Sequence, residues 1–261
     1  MNKHMFVICA YKESPYLEEC IQSTLCQTVA SEVILVTSTP CEHILKLCSK
    51  YHIPVYINDG EKGITQDWNF AYAKSKTPCV TIAHQDDIYF EKYTETLEKM
   101  TRTAKRPLIF FCDYYELRNK KIIKENSLLK IKRIMLFPLR FNILRGSILV
   151  RRMVLSTGNP ICCPSVAYFR GNLPNVIFKN HFRSNEDWEA FEMISKIKGQ
   201  FVYCKEPLMA HRIHEDSATT AIIADNDRTK EDYEMFCKFW PKWIAKIIAH
   251  FYKQGEKSNE I

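Results

Sequence analysis

Glycine is scarce in this sequence, and several common signals are missing from it. Only 7 of the 261 residues are glycine and 11 are proline, which excludes a collagen-like chain and a low-complexity, disordered one. No uncharged stretch of about 18 residues occurs, so we expect no membrane-spanning helix. The 11 cysteines form no CxxC pair and no Cys/His spacing typical of zinc sites, so reduced thiols in a cytoplasmic protein are the simplest interpretation.

The charge balance and the N-terminus narrow the class of protein further. The formal net charge is +7, which favours an anionic partner such as a nucleotide, a phospholipid headgroup or a nucleic acid. The apolar run MFVICAY near the N-terminus is too short for a signal peptide and is typical of a strand. No nucleic-acid-binding motif is present, so we expect no nucleic-acid partner.

The first 113 residues alternate short apolar runs with amphipathic stretches. The pattern predicts strands at 5–10, 32–37, 54–58, 78–83 and 107–113. It predicts helices from the N-cap Ser14 and Pro15 onward, and near 41–51, 65–75 and 90–104. This alternation is typical of βαβ units and predicts an α/β fold with a mainly parallel sheet, in which ligands bind beyond the carboxyl ends of the strands.

After residue 113 the alternation ends. The sequence predicts a strand at 147–150, a punctuated loop at 158–174, a helix after Asn185, a strand at 201–204, a polar loop at 211–220 and one long helix over 226–253.

Two pairs of neighbouring acids are candidates for chemistry. Asp86 and Asp87 follow a buried strand, where they suit a hard divalent cation or, alternatively, cap a helix beginning near Tyr89. Glu186 and Asp187 open a helix, where the helix dipole stabilises acids or where one of them acts as a general base.

A third polar cluster follows the apolar segment PLMA. It contains Arg212 and His214 within the run HRIHEDS. The pattern is compatible with a loop that closes over phosphates, although a single histidine is more often a surface or core residue.

Five segments in order resemble family 2 glycosyltransferases of the GT-A type. They are ICAYKESPYLEECIQSTLCQT, DWNFAYAKSK, VTIAHQDDIY, NEDWEAF and RIHEDS. In that family they correspond to the nucleotide-contacting turn, a second nucleotide segment, the DXD metal motif, the ED motif and a late Arg/His loop. The order across residues 6–217 argues against a chance match. The resemblance implies a GT-A (Rossmann-like), mainly parallel sheet flanked by helices, with a helical C-terminal elaboration.

The resemblance also implies residue roles. Asp187 matches the general base, with Glu186 as the alternative, and Asp86 matches the ligand of Mn²⁺ or Mg²⁺, with His214 as a second ligand. The residues expected to contact the nucleotide sugar are Ala10, Tyr11, Glu13, Thr37, Asp67, Asn69, His84, Gln85, Asp86 and Arg212. Asp67 and Asn69 lie on different faces of their helix, so one is expected to contact the donor while the other braces a loop.

The chain departs from the family pattern at two positions. His84 stands where the DXD motif usually begins with an acid, and Thr37-Ser38-Thr39 stands where the second strand usually ends in one. Those acids contact the base and ribose in the family, so the identity of the nucleotide stays open.

The function implied is transfer of a hexose from a nucleoside diphosphate donor, with a UDP-sugar favoured, to a saccharide or lipid-linked hydroxyl with inversion. We expect a role in polysaccharide biosynthesis of the cell envelope. One alternative is a non-catalytic nucleotide- or glycan-binding protein of the same fold, motivated by His84. Another is a nucleotidyltransferase, which the glycine-free turn Ala10–Ser14 disfavours.

The C-terminal segment is basic and aromatic. Phe236, Phe239, Trp240, Trp243, Ile244, Ile247 and Phe251 would lie close to one face of a single helix, with lysines between them. Such a helix suits peripheral contact with the inner face of the cell membrane, or ordinary packing on the domain or on a second copy in a homodimer. Pro241 is expected to kink this helix or mark its start. The segment 128–145 is also basic and apolar, so it too suits either membrane contact or ordinary packing.

The domain organisation follows from these patterns. We predict a glycosyltransferase domain over 1–220, in which 1–113 bind the nucleotide sugar and 114–220 bind the acceptor. Residues 221–261 are predicted to form a helical extension.

Overall fold

The protein is described here from a computed structural model that covers residues 3–214 and 227–257. Its first half alternates strands and helices. In chain order these are β1 (His4–Ala10), α1 (Leu17–Leu25), β2 (Glu32–Thr37), α2 (Glu42–Lys50), β3 (Val55–Ile57), α3 (Ile64–Lys74), β4 (Cys79–His84), β5 (Ile88–Tyr89), α4 (Tyr93–Thr101) and β6 (Pro107–Arg118).

The second half is richer in helix and has fewer regular crossovers. It contains β7 (Lys121–Ile123), α5 (Ser127–Leu136), α6 (Ile148–Leu155), β8 (Ala167–Phe169), α7 (Glu186–Ser195), β9 (Gln200–Ile213), α8 (Asp227–Cys237) and α9 (Lys242–Lys257). A short 3₁₀ turn, Phe137–Arg140, follows α5 directly.

The strands of the described residues form one nine-stranded sheet. Its order is β3-β2-β1-β4-β8-β6-β9-β5, with β7 paired to β6. Strands β3, β2, β1 and β4 run parallel, as do β6 and β9, whereas β8 lies antiparallel between β4 and β6. The parallel half brings the ends of β1, β2 and β4 to one edge, where ligands bind in sheets of this kind.

Alternate residues of the central strands bury into two apolar cores, one on each face of the sheet. Phe6 and Ile8 pack with α1, α2 and α4, while Met5 and Val7 belong to the core that includes α3, α6 and α7. Continuous burial on both faces explains why these strands read as unbroken apolar runs.

The C-terminal helices pack on the second of these cores. Met235 and Phe236 of α8 and Ala245 of α9 are fully buried in it. The Trp188 ring lies 5.2 Å from that of Phe236, and its indole N–H donates to the carbonyl of Leu155 at 3.0 Å. The predicted division of the chain into a domain over 1–220 and an extension over 221–261 stays a prediction. The same holds for the predicted halves 1–113 and 114–220 of that domain.

Several local predictions are wrong. Residues 147–150 begin α6 instead of a strand, because Ser147 accepts a hydrogen bond from the amide of Val150 and so caps a helix. Residues 211–213 belong to β9, because this strand continues along β6. The loop predicted at 158–174 contains the short strand β8.

The two ends of the chain also differ from prediction at their helices. The long helix over 226–253 is two helices, because α8 ends at Cys237 and α9 begins at Lys242. Pro241 directly precedes α9, so it marks a helix start, which was one of the two roles predicted for it. The apolar residues of this segment therefore do not share one face. Helix α1 begins at Leu17, after Tyr16, and Ser14 accepts from the amide of Tyr16 without capping the helix.

Two further expectations concerned the cysteines and membrane-spanning helices. All eleven cysteines are free thiols. Among the residues that the structure describes, no helix is both long and apolar enough to cross a bilayer.

Candidate active site

The turn after β1 meets the turn after β4 at the carboxyl edge of the sheet. The Tyr11 amide donates to Gln85 Oε1, and Gln85 Nε2 donates to the Tyr11 carbonyl, both at 3.0 Å. Lys12 adopts a left-handed backbone conformation (φ 55°), and its amide donates to Thr39 Oγ1 at 2.6 Å. The turn thus takes, without glycine, a conformation that costs most residues about 1–2 kcal/mol. Ala10 and the exposed Glu13 lie in the same turn.

Asp67 of α3 joins the ends of β2 and β3. Its two carboxylate oxygens accept hydrogen bonds from Ser38 Oγ at 2.7 Å and Asn58 Nδ2 at 2.8 Å. Thr37, at the end of β2, is buried beside Ser38. An acid therefore does lie at the end of the second strand, although α3 supplies it.

Asn69 braces a loop. Its side-chain oxygen accepts from the amides of Ile177 and Phe178 at 3.3 and 3.1 Å, and its amide group donates to the Phe178 carbonyl at 2.7 Å. Trp68 stacks on the His84 ring at 5.2 Å and meets the edge of Phe178, so it packs between the two. Asn69 is therefore the member of the pair that braces a loop, and contact of Asp67 with the donor stays a prediction.

Asp87 is fully buried at the point where β4 turns into β5. Its Oδ1 accepts from the Arg212 amide at 2.8 Å and lies 2.9 Å from His211 Nδ1. Burial alone would lower the pKa of His211, but the Asp87 carboxylate raises it above its ordinary value. Neither Asp86 nor Asp87 caps a helix, since α4 begins only at Tyr93, after Lys92.

Asp86 faces the end of β9. Its Oδ2 lies 3.0 Å from His214 Nε2, and its carbonyl accepts from Arg212 Nε at 2.8 Å. The Arg212 guanidinium pairs with Glu19 and lies 4.2 Å from the centre of the Tyr16 ring. The remaining residues of RIHEDS, Glu215, Asp216 and Ser217, lie outside the described residues.

Three side chains at this edge fit a divalent cation. One ligand atom each from His84, Asp86 and Asp87 lies within 4.8 Å of the others. Among the described residues, Asp87 Oδ2 and His84 Nε2 are buried and have no hydrogen-bond partner. Burial lowers the pKa of His84, so its ring is neutral and able to donate an electron pair. A buried atom without a partner in a native protein calls for an explanation, and a bound metal supplies one.

The second acidic pair opens α7. Asp187 accepts from the Trp188 amide at 2.7 Å and from Asn159 Nδ2 at 2.9 Å. Burial raises the pKa of Asp187 to about 6 and that of Glu186 to about 7. Asn185 precedes the helix but does not cap it, because its side chain donates to Asp232 instead. An acid with a pKa near neutrality is suited to accept and release a proton.

The segment Cys162–Cys163 lies between the two acidic pairs. Burial raises the pKa of the Cys162 thiol, and the charges of Asp87 and Asp187 raise it further, so both acids are within electrostatic reach of this thiol. Lys132 of α5 donates to the Tyr114 hydroxyl at 3.0 Å, and its charge lowers the pKa of Asp187. One acid of each pair therefore lies near the Cys162–Cys163 segment.

Sequence reasoning missed several residues of this site. Lys132 was hidden in the basic segment 128–145, and Asn159 lies in a loop that carries no motif. No local pattern distinguishes them, because only the packing of α5 and α6 against the sheet brings them to Asp187. Arg170 and Ser165, which had no predicted role, bond to the carbonyls of Ser75 and Cys162 within the protein.

The sequence matches the model of a known family. Residues 5–170 match "Glycosyl transferase family 2". The matched region includes β1 to β8 and the acids after β4, and ends before α7. No protein with a curated description matches the chain.

Solved structures with the same fold are distant in sequence. The S. aureus TarS 1-349 structure in complex with UDP-GlcNAc matches with a TM-score of 0.62 at 13% identity, covering 95% of this chain and 70% of that one. The mannosyltransferase PcManGT from Pyrobaculum calidifontis, in complex with GDP-Man and Mn²⁺, matches with a TM-score of 0.62 at 14% identity over 95% and 68%. The predicted GT-A fold is thereby confirmed.

Proposed function

The chain belongs to glycosyl transferase family 2, and on that premise we propose that it transfers a hexose from a nucleoside diphosphate donor to an acceptor hydroxyl with inversion. The observation that carries the proposal is the presence of two acidic groups in different environments, with one acid of each group close enough to affect the pKa of the Cys162 thiol. One group has unpartnered ligand atoms suited to a cation, and the other has pKa values raised toward neutrality.

The nucleoside binds, in this proposal, across the ends of β1 and β2. Tyr11 is exposed there and Gln85 holds its backbone, while Asp67 supplies the acid that β2 itself lacks. Ala10, Glu13 and Thr37 line the same edge, and Arg212 and His84 approach it from the β4 side. The neighbours in complex with UDP-GlcNAc and GDP-Man support a nucleotide sugar, and a UDP-sugar remains our preferred donor.

His84, Asp86 and Asp87 would hold Mn²⁺ or Mg²⁺. A cation there would neutralise the charge that develops on the departing diphosphate. The Mn²⁺ complex of the mannosyltransferase neighbour supports this choice of ion. His214, proposed as a further ligand, is hydrogen-bonded to Asp86 and would orient that carboxylate.

Asp187 takes the proton of the acceptor hydroxyl as that oxygen attacks the anomeric carbon. Asn159 and the Trp188 amide hold its carboxylate in place, and its pKa of about 6 leaves it ionised at neutral pH. Attack from the face opposite the leaving group inverts the sugar carbon. Glu186 is the alternative base, and its pKa of about 7 leaves it half protonated there.

The acceptor is proposed to be a saccharide or a lipid-linked saccharide of the cell envelope, handled on the cytoplasmic side. Contact with the membrane through the C-terminal helix, and a homodimer, remain predictions.

A thermal-shift panel of UDP, GDP, CDP and dTDP, each with and without Mn²⁺, tests the proposal. A ligand that binds only the folded state raises its melting temperature as the ratio of concentration to Kd rises. We expect one nucleotide to give a shift that depends on Mn²⁺.

The matched control variant is Asp113→Asn, because Asp113 is a buried acid whose Oδ2 accepts from Arg133 Nε at 2.8 Å. It should shift with the nucleotide as the wild type does, whereas Asp86→Asn should not. A shift that ignores Mn²⁺ would instead favour a non-catalytic binding protein, for which the replacement of an acid by His84 is the motivating feature.

A further inference from the structure

The outward face of α9 carries apolar and basic side chains. Trp243, Ile247 and Phe251 follow one another at intervals of four residues and are 68%, 51% and 65% exposed. The exposed Lys242 and Lys246 lie beside them on the helix. The sequence has no Asp or Glu from Met235 through Gly255. The inner face packs on the domain through Ala245, so the exposed stripe is not needed for the core.

A second exposed apolar group lies on α5, α6 and the turn between them. Its members are exposed and belong to neither of the two cores. They are Ile131, Ile134, Phe137, Phe141, Ile143, Leu149 and Met153. Residues 127–153 contain no Asp or Glu. Of their basic residues, Arg145 and Arg151 are buried and Arg133 and Arg152 pair with Asp113 and Glu192. Lys130 and Arg140 are exposed among the apolar residues.

The two groups belong to neighbouring elements. A Cβ on Gly158 would come within 3.0 Å of the Tyr252 ring of α9 and 3.8 Å of Met135 of α5, so both side chains cover this glycine. Trp240, just before α9, donates its indole N–H to the Ser156 carbonyl at the end of α6 at 2.8 Å. We name the exposed residues of the two groups the basic–apolar surface.

The composition of the basic–apolar surface decides what it fits. Exposed apolar patches that exceed those of ordinary monomers mark interaction sites. A helix with aromatic and aliphatic residues beside lysines is suited to lie in the interface of an anionic bilayer, where the rings enter the headgroup region and the lysines meet lipid charge. A second copy of the chain fits less well, because a two-fold contact would set basic residues against basic residues.

We propose that the basic–apolar surface docks the protein on an anionic lipid surface. The start of α7 lies beside the inner face of α9, since Trp188 follows Asp187 and its ring lies 6.4 Å from that of Tyr252, so docking through α9 would bring α7 near the bilayer. A lipid-linked acceptor would then reach Asp187 without leaving the membrane. This last point rests on the proposed function, whereas the docking itself does not.

Co-sedimentation of the full chain with vesicles tests the docking. The vesicles are phosphatidylcholine alone or phosphatidylcholine mixed with phosphatidylglycerol. We expect binding to the mixed vesicles and at least about tenfold weaker binding to phosphatidylcholine alone. Trp243→Glu with Ile247→Glu should weaken binding to the mixed vesicles by at least about tenfold, because it removes apolar contact and adds repulsion.

Matched variants separate the surface from general effects. Leu45→Glu changes an apolar residue of α2 that is 44% exposed, and it should bind as the wild type does. Lys242→Glu with Lys246→Glu should lose binding, whereas the charge-matched Lys46→Glu with Lys76→Glu should retain most of it.

Three results would overturn the proposal. The first is equal binding by the α9 variants and their controls, and the second is equal binding to both kinds of vesicle. The third is a wild-type dimer in sedimentation velocity that the Trp243/Ile247 variant converts to a monomer while vesicle binding is unchanged. The nucleotide thermal shift, measured on the same variants, reports the proposed function separately.

Discussion

Two pairs of neighbouring acids each have one member that affects the pKa of the Cys162 thiol, and the protein holds the two pairs in different ways. Asp86 and Asp87 meet cationic and ring groups from the end of β9, namely His211, Arg212 and His214. Asp187 accepts from one side-chain amide and one backbone amide, and burial raises the pKa of both Asp187 and Glu186.

The difference shows how one residue type serves two purposes. Charged partners keep a carboxylate available as a ligand for a cation, whereas burial with few donors prepares a carboxylate to accept a proton. A change to one member of a pair should therefore remove only the function of that pair.

The largest effect is expected for Asp187→Ala. Removing a general base typically lowers turnover about 10²- to 10⁴-fold. Nucleotide binding should persist, because Asp187 does not belong to the β4 cluster. Steady-state transfer assays measure the loss. Glu42→Ala is the control, since the Glu42 side chain is exposed in the first turn of α2. Full activity in the Asp187 variant would reject it as the base.

Asp86→Ala is expected to have the next largest effect. Loss of this carboxylate should lower kcat/KM about 10²-fold or more, because less charge is neutralised on the leaving diphosphate. Added Mn²⁺ should recover part of the activity if His84 and Asp87 retain weak affinity. A variant whose activity and Mn²⁺ dependence match the wild type would remove Asp86 from the metal site.

The pH profile sharpens the contrast at Asp187. With a pKa of about 6, activity should fall about tenfold per pH unit below that value, because the base becomes protonated. Lys132 lowers this pKa, so Lys132→Met should move the acidic limb to higher pH. Lys132→Arg keeps the charge and should leave the limb in place. An unmoved limb in Lys132→Met would show that Lys132 does not act on the base.

The smallest effect concerns stability and isolates Glu186. Burial raises the pKa of Glu186 from 4.5 to about 7, so the folded state favours its protonated form. The contribution of this protonation to the free energy of unfolding is fully present below about pH 4.5 and is lost as pH rises through about 7. Glu186→Gln cannot ionise, so its Tm should exceed that of the wild type by a few degrees at pH 8 and match it at pH 4.

The exposed Glu42→Gln is the control for this measurement and should show no such pH dependence. A Glu186→Gln variant that is less stable than the wild type at pH 8 would contradict the direction of the shift.

The parallel half of the fold was predictable because its signals are local. Strand β2 matches its predicted bounds, and β1, β3 and β4 differ by a residue or two, since fully buried strands are short continuous apolar runs. The region after β6 was harder. Residues 147–150 have apolar content that suits strand and helix alike, and only the Ser147 cap decides.

The candidate site was predictable where motifs are contiguous and not where packing assembles it. The acids after β4 and at the start of α7 were predicted from their motifs. The end of β2 lacks an acid of its own, and Asp67 supplies one there only because α3 lies against Ser38. Asp87 was expected to bind a cation or to cap a helix, and the second alternative failed because a strand follows it. Only the tertiary fold brings Asn159 into contact with Asp187 and places Lys132 near enough to lower its pKa.

The most direct test of this division is calorimetric titration with Mn²⁺ and the nucleoside diphosphate that the thermal-shift panel selects. Wild type, Asp86→Ala and Asp187→Ala would be compared at pH 8. The account predicts that Asp187→Ala binds as the wild type does and that Asp86→Ala loses the part of the affinity that depends on Mn²⁺. Loss of binding in Asp187→Ala, or unchanged Mn²⁺ dependence in Asp86→Ala, would contradict it.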